Sequence, residues 1–383
     1  MAKKLKMGMI GGGPGAFIGA VHRMAANLDG QIELVCGAFS SDPKKSIRTG
    51  QELFLDSKRV YKSFSEMMKK EKSLPEDVRM DIVSIVTPNH VHFEPAKLAL
   101  ENGFHVIIDK PLTLTLAEAK QLKKVVDKTG LILALTHTYT GYPMVKEAKQ
   151  LVKSGKLGKI RKIYVEYQQG WLSAPADKNN KQASWRMDPK KSGLGGAIGD
   201  IGTHAANLAE YITSSNITEV CAELNTIVKD RVLDDDAAML LHFENGASGV
   251  LVATQVAAGK ENGLAIKVFG EKGGLEWRQE EPNSLIVRWL DKPMEVYRAG
   301  MPYLSKAAKE FTRTPSGHPE GYLEAFANIY SSFAKAVIDY KKGKKVNASL
   351  YDYPDVEDGV RGMAFIEAAV KSSASKQKWV KIK

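Results

Sequence analysis

The sequence predicts an α/β protein of two domains: a doubly wound parallel sheet, then an α/β domain built on a mostly antiparallel sheet. Three observations carry this. Strand and helix signals alternate over roughly the first 135 residues. A glycine-rich turn separates the first strand from the first helix. From Lys159 onward, strand-like runs follow one another with turns and no helices between them. A chain of 383 residues is long enough for two cores. The division falls near residues 135–155, giving domains over 1–140 and 141–383, with the last helices free to pack back on the first domain.

The elements follow in order. Leu5–Ile10 is a short apolar strand, and Phe17, Val21, Met24, Ala25 and Leu28 recur at helical spacing after it. Ile32–Phe39 reads as a strand, Pro43–Leu53 as a helix, Asp81–Thr87 as a buried strand and Phe93–Glu101 as a helix. His105–Ile108, Leu116–Thr129 and Leu131–Thr136 continue as strand, helix and strand, with Asn102-Gly103 and Thr129-Gly130 where helices stop. In the second domain Lys159–Gln168 is a strand, Gly170–Gly193 a polar stretch, and a helix runs through Asp200 to Tyr211. Strand-like runs then cover Glu219–Val228, Ala237–Phe243, Ser248–Val256, Leu264–Phe269, Gly274–Trp277 and Leu285–Leu290. Glu244-Asn245-Gly246 is a hairpin turn, and helices over Tyr322–Lys342 and Val356–Ser373 close the chain.

Composition narrows the function classes. The net charge of +11 comes from lysines scattered in pairs, such as Lys44-Lys45 and Lys190-Lys191, without the aromatic-interleaved stripe of a nucleic-acid surface. These lysines read as solvated faces. No run approaches ~18 uninterrupted apolar residues, so no membrane span is expected. The first strand begins within a few residues of the start, leaving no room for a signal peptide. Two cysteines, Cys36 and Cys221, are too few for a disulfide framework or a cysteine-based zinc site and point to a reducing, cytoplasmic compartment.

Gly11-Gly12-Gly13-Pro14-Gly15-Ala16 sits between strand and helix, the context a dinucleotide site needs. Gly11 permits the tight turn, Gly13 lets the backbone approach a pyrophosphate, and Ala16 fills the small third position, while the helix aims free N–H groups at the phosphates. Thr87-Pro88-Asn89 and His92 stand at a strand's C-terminal end, where ligands collect in open α/β sheets; Asn89 capping a helix beside surface histidines is the other reading. Asp109-Lys110-Pro111 follows the next buried strand, so Lys110 either snorkels to water or serves a ligand.

Asp200 and His204, four residues apart among small residues, fall on one helical face, where a carboxylate orients an imidazole that exchanges protons near neutral pH. A pair that merely supports the helix, or half of a metal site, are the competing readings, and no completing metal ligands are evident. Trp185-Arg186 and the run Gly317-His318-Pro319-Glu320-Gly321 carry groups suited to sugar hydroxyls, or to loop packing. Asp234-Asp235-Asp236 reads as a charged strand entry and not as a metal site.

Together Gly11–Ala16, Thr87-Pro88-Asn89 with His92, Asp109-Lys110-Pro111 and Gly195–His204 resemble the glucose–fructose oxidoreductase/inositol dehydrogenase/rhizopine-catabolism (Gfo/Idh/MocA) oxidoreductases over nearly the whole chain. A branch marked by Gln182-Ala183-Ser184-Trp185-Arg186 and the Gly317–Gly321 run is the most similar. The resemblance implies an N-terminal Rossmann domain and a C-terminal α/β domain with a large open sheet that often forms a homodimer or homotetramer interface. It implies hydride transfer between NAD or NADP and a hydroxyl-bearing carbon of a sugar, sugar derivative or cyclitol. Lys110 matches the catalytic lysine, and Asp200 with His204 the second-domain pair, with His204 as acid/base. Substrate then meets Lys110, Trp185, Arg186, Asp200, His204 and His318. The cofactor meets Gly11, Gly13, Pro14, Ala16, Phe17, Ser40, Ser41, Lys45, Thr87, Pro88, Asn89, His92, Asp109 and Lys110.

Two departures stand out. Asp109 replaces the usual Glu before the lysine. Ser40 stands about 20 residues past the glycines, where NAD-preferring members carry an acid, which leaves cofactor preference open between NAD and NADP. The alternatives are a glycoside lyase, hydrolase or isomerase that recycles a tightly bound NAD, and a nucleotide-binding regulator without catalysis, which should lack the lysine or the histidine that this chain keeps.

Overall fold

The computed structural model describes residues 4–175 and 181–383, so part of the polar Gly170–Gly193 stretch, 176–180, lies outside the described residues. The chain divides into two compact units, Met1–Thr136 with Phe326–Val360 and His137–Ala325 with Arg361–Lys383.

The first unit is a five-stranded parallel sheet in the order β2-β1-β3-β4-β5: β1 Leu5–Gly11, β2 Ile32–Ala38, β3 Ile82–Val86, β4 His105–Ile108 and β5 Leu133–Leu135. Every residue of β3 and β4 is buried, as strands covered on both faces require. Helices α1 Phe17–Leu28, α2 Pro43–Glu52, α3 Phe64–Ser73, α4 Phe93–Glu101 and α5 Leu116–Thr129 make the crossovers. The helix α3 is absent from the sequence expectation although Ser63 and Glu66 spell its start: the Ser63 hydroxyl accepts from the Glu66 N–H at 3.2 Å. This helix delivers Glu71, whose wholly buried carboxylate accepts from Arg59 at 3.0 and 2.6 Å, the Tyr61 hydroxyl at 2.8 Å and the Met80 N–H at 2.9 Å. Four donors satisfy a charge that would otherwise be costly to bury.

The parallel ladder sets the strand ends side by side. Gly11 pairs with Val86, the Asp109 N–H donates to the Ile85 carbonyl, and the Thr136 N–H donates to the Ile108 carbonyl. The glycine turn, Thr87, Asp109-Lys110 and Thr136 therefore share the C-terminal edge of one sheet, next to the β1/β3 switch point.

The second unit holds a nine-stranded sheet ordered β13-β12-β11-β10-β6-β9-β8-β7-β14. Its strands are β6 Ile160–Gln168, β7 Ile217–Asn225, β8 Asp236–Phe243, β9 Ser248–Thr254, β10 Gly263–Gly270, β11 Gly273–Arg278, β12 Ser284–Trp289, β13 Glu295–Arg298 and β14 Trp379–Lys381. All neighbours are antiparallel except β6 and β9. Burial alternates along β8 and β10, so one face packs on the core and the other looks outward. Helices α6 Pro143–Lys153, α7 Lys181–Arg186, α8 Pro189–Ser192 and α9 Thr203–Thr213 belong to this unit, and the core joins α6 and α9 residues such as Val145 and Leu208 to Val165, Leu251 and Ile266 of the sheet. The sequence reading omitted α6, although Pro143 at its first turn is a start signal. It also missed the marginal strands β13 and β14.

Candidate functional site

In the first unit the glycine turn is shaped largely by the chain itself. Gly11 has φ +86°, as a tight turn needs. At Gly13 the nearest obstacle to a side chain is the Phe39 carbonyl oxygen, 2.7 Å from where a Cβ would lie, and the Gly13 N–H donates to that carbonyl at 3.1 Å. Gly13 thus lets the turn close on the end of β2. Close helix–strand packing falls to Gly19, whose Cβ would lie 2.3 Å from the Gly12 Cα, and not to the small residue Ala16. Ala16 caps α1 without a side-chain hydrogen bond, and no acid stands in the first turn. An anion therefore meets a positive helix end with no competing carboxylate, which fits a dinucleotide pyrophosphate. Pro14 and Phe17 are exposed around this turn.

At the end of β2, the Ser40 hydroxyl accepts from the Asp42 N–H at 3.1 Å. Asp42 is the N-cap of α2, its Oδ1 accepting from the Lys44 and Lys45 N–H groups at 2.9 and 3.5 Å. Ser41, Lys44 and Lys45 are exposed.

The Thr87–His92 turn separates its residues by role. Asn89 is buried and opens a short 3-10 turn whose cap is Pro88, so it is not itself the cap, and His90 is exposed. His92 is wholly buried, with Nδ1 2.8 Å from the Pro111 carbonyl and Nε2 2.8 Å from the Thr87 carbonyl. It ties the β3 and β4 exits together and holds these two turns in place. Burial lowers its pKa, with the Asp109 charge opposing. Asp109 accepts from the Lys110 N–H at 2.8 Å and the Thr136 hydroxyl at 3.0 Å. The shorter acid is thereby fixed at the root of Lys110.

In the second unit, Asp200 and His204 do not share one regular helix. Asp200 lies in a π-helical turn, Ile198–Gly202, and His204 in the α9 that follows. Asp234 anchors the turn: its carboxylate accepts from the Gly196 N–H at 2.6 Å and the Ile198 N–H at 2.8 Å. Burial pushes Asp234 up to about 6 against these two hydrogen bonds. Asp235 similarly holds Ile227, Val228 and Arg231, so the triple-aspartate run serves as scaffold. Among the described residues no cluster of His, Cys, Asp or Glu is arranged to hold a metal.

The Asp200 Oδ2 accepts from Arg186 Nε at 3.1 Å and Gln255 Nε2 at 2.9 Å. The Arg186 guanidinium lies 4.4 Å from the Trp185 ring centroid and 5.8 Å from that of Trp171. Trp185, Arg186 and Asp200 are thus brought together, with Gln255 and Trp171 added; of the Gln182–Arg186 run, the Gln182 side chain lies outside the description. His318 lies instead in an exposed turn, its Nδ1 3.3 Å from the Pro315 carbonyl.

His204 is 8% exposed, and its ring meets Tyr139, His137 and Tyr167 at centroid distances of 4.8, 5.3 and 6.3 Å. The two hydroxyls of Tyr139 and Tyr167 are hydrogen-bonded to each other, Tyr167 donates to Asn262 Oδ1 at 2.7 Å, and Asn262 Nδ2 donates to Tyr139 at 3.2 Å. Gln169 joins at the same Asn262 oxygen, 2.8 Å away. The arrangement offers a buried imidazole beside a closed polar ring and a carboxylate already charge-paired.

Comparison with known proteins settles the family. The profile described as "Oxidoreductase family, NAD-binding Rossmann fold" matches residues 5–137, and "GFO/IDH/MocA C-terminal domain" matches residues 145–276. The uncharacterized oxidoreductase YfiI of Bacillus subtilis (strain 168) is 32% identical over 100% of this chain and 98% of its own. The chain belongs to the Gfo/Idh/MocA oxidoreductases. An inositol dehydrogenase homolog from Azotobacter vinelandii, solved with NAD+, superposes on this member with a TM-score of 0.94 at 34% identity, covering 100% and 98% of the two chains. It has also been solved with NADH and myo-inositol. The levoglucosan dehydrogenase of Pseudarthrobacter phenanthrenivorans is 27% identical over 99% of this chain and 98% of its own.

The expected α/β class, the Rossmann domain and the NAD-binding oxidoreductase family therefore hold. In this Gfo/Idh/MocA oxidoreductase the sequence reading missed His137, Tyr139, Tyr167, Gln255 and Asn262. Only one faint signal existed: His137 and Tyr139 follow directly on β5, another strand end of the same kind as those that yielded Thr87 and Lys110.

Proposed function

We propose that the protein is an NAD(P)-dependent dehydrogenase acting on a hydroxyl-bearing carbon of a sugar, sugar derivative or cyclitol, with Lys110, Asp200 and His204 as its catalytic residues. The bound nicotinamide supplies the hydride acceptor. His204 removes the hydroxyl proton as the carbinol is oxidised and returns it in reduction. The Lys110 ammonium stabilises the oxygen as it becomes anionic, and Asp109 fixes the backbone from which Lys110 projects. The observation that carries this reading is the Arg186–Asp200–Gln255 cluster beside the π turn that leads into His204: fixed donors and an indole suit a polyhydroxylated ring. The inositol and levoglucosan dehydrogenases among the relatives support the same substrate class.

Cofactor choice follows from Ser40. A hydroxyl there neither repels a 2′-phosphate nor grips a ribose diol as a carboxylate does, and Asp42 is engaged in capping α2. Both NAD and NADP are accepted on this reading, with Lys44 and Lys45 exposed nearby for the phosphate. Cys36 is buried and neither cysteine is disulfide-bonded, which supports a reducing, cytoplasmic setting. The outward sheet face forms the contact of a homodimer or homotetramer.

Absorbance at 340 nm, followed with NAD and then NADP over a panel of sugars, glycosides and inositols, tests the function. A rise with one polyol is expected. Turnover of a glycoside without net absorbance change would instead identify a recycled cofactor and a lyase, hydrolase or isomerase.

A further inference from the structure

The Nδ1 atoms of His137 and His204 lie 3.4 Å apart. A neutral imidazole has one donor and one acceptor nitrogen, so this contact requires opposite tautomers. We propose that His137 is the positioning partner of His204, its bare Nδ1 accepting the proton His204 carries on Nδ1, so that His204 Nε2 is the atom that exchanges protons with substrate. The inference rests on His204 being the acid/base.

The chemistry of the reaction chooses this direction over its reverse. When His204 takes a proton from the substrate hydroxyl, the O–H bond breaks, an N–H bond forms at Nε2, and both ring nitrogens then carry hydrogen. An acceptor at His137 Nδ1 serves His204 in both protonation states, whereas a donor there would oppose the imidazolium N–H. The partner is also held in place. His137 is 2% exposed and opens the Thr138–Gly141 turn, where its carbonyl accepts from the Thr140 N–H at 3.2 Å and the Thr140 hydroxyl at 2.9 Å. The Tyr139 ring stands at 81° to His204, closing another side.

The surroundings define what titrates with the pair. Tyr139 and Tyr167 are pushed up by burial and stay neutral, and Tyr322 lies beyond Tyr139 at 6.4 Å between centroids. Asp200 is charge-paired with Arg186.

The test uses three replacements of His137 and one of His204. His137→Asn offers an amide oxygen near the place of Nδ1, His137→Gln moves it toward Nε2, and His137→Phe keeps a ring without an acceptor. His137→Phe is expected to lower kcat about tenfold or more with KM little changed, and to move the inflection of the kcat/KM pH profile. His137→Asn should recover most of the loss and His137→Gln little. Independently of activity, nitrogen NMR of histidine-labelled protein should show His204 protonated at Nδ1 and bare at Nε2 in the wild type and in His137→Asn. A wild-type His204 protonated at Nε2, or a His137→Phe profile that overlays the wild type, overturns the proposal. The reading of His204 itself fails separately, if His204→Asn retains turnover.

Discussion

At the scale of single residues, the clearest expectation concerns Lys110. It projects from a turn held by Asp109, whose carboxylate accepts from the Lys110 N–H and is itself held by the Thr136 hydroxyl. Replacing Lys110 by Ala leaves these anchors and the glycine turn intact. It should cut kcat by about 100-fold or more while the affinity for NADH, measured by fluorescence titration, stays within about threefold. Near-normal turnover would remove Lys110 from the chemistry. Lys110 stands out locally because a buried apolar strand, Val106–Ile108, stops at a charged dipeptide, a pattern that by itself leaves the lysine open between snorkelling to water and serving a ligand. His137 was not legible, because what gives it meaning is an imidazole 67 residues away. Asp200 shows the intermediate case. Its spacing from His204 was evident, but the Gln255 that holds it arrives from the end of β9, 55 residues on.

At the scale of elements, the same division between local and distant holds. Strands and helices with strong periodicity, such as β3 and α5, sit where the pattern puts them. The π turn at Ile198–Gly202 does not announce itself, since small residues suit a regular helix equally well and the anchor, Asp234, is 36 residues downstream. Buried histidines between elements have a measurable consequence. His105 in β4 accepts the Ile132 N–H at Nδ1, 3.0 Å away, and packs edge-on against Tyr340, while His22 in α1 meets the Tyr330 and Ser84 hydroxyls. Burial lowers each from 6.5 to about 4. The folded pKa is depressed below the unfolded one, so the unfolded chain binds more protons as pH falls. Stability is therefore full above about 6.5 and drains away toward 4, by about 3 kcal/mol for each histidine. His105→Asn keeps an acceptor for Ile132 but cannot titrate. Its urea midpoint should fall less than that of the wild type between these pH values, and an identical acid loss in the two proteins would assign the sensitivity elsewhere.

At the scale of the whole molecule, the outward face of the nine-stranded sheet is the feature that most needs a partner. Cross-strand register lines up Trp379, Cys221, Leu240, Val250, Tyr164, Lys267, Glu276, Ile286 and Val296 in one row across all nine strands. The row is apolar but for the directly opposed Lys267 and Glu276, and Tyr164, Leu240, Val296 and Trp379 are 44, 49, 46 and 37% exposed. An apolar band of this extent on a monomer would be left in water, where its burial is worth about 25 cal/mol per Å². A twofold copy of the same face would cover it with a self-complementary surface, because each protomer would offer the same row. A stable pair needs about 800 Å² from each side, an area that a sheet nine strands wide can present. Charges placed in the middle of the row should therefore break the assembly and spare the fold, since side chains at these positions point away from the core. Tyr164→Glu combined with Leu240→Glu is expected to shift sedimentation from a multiple of the 42.0 kDa chain mass to the monomer. The thermal midpoint of the wild type, but not of the double variant, should rise with protein concentration, as it does whenever assembly and folding are linked. A wild type that sediments as a monomer at micromolar concentration would leave this face to another partner.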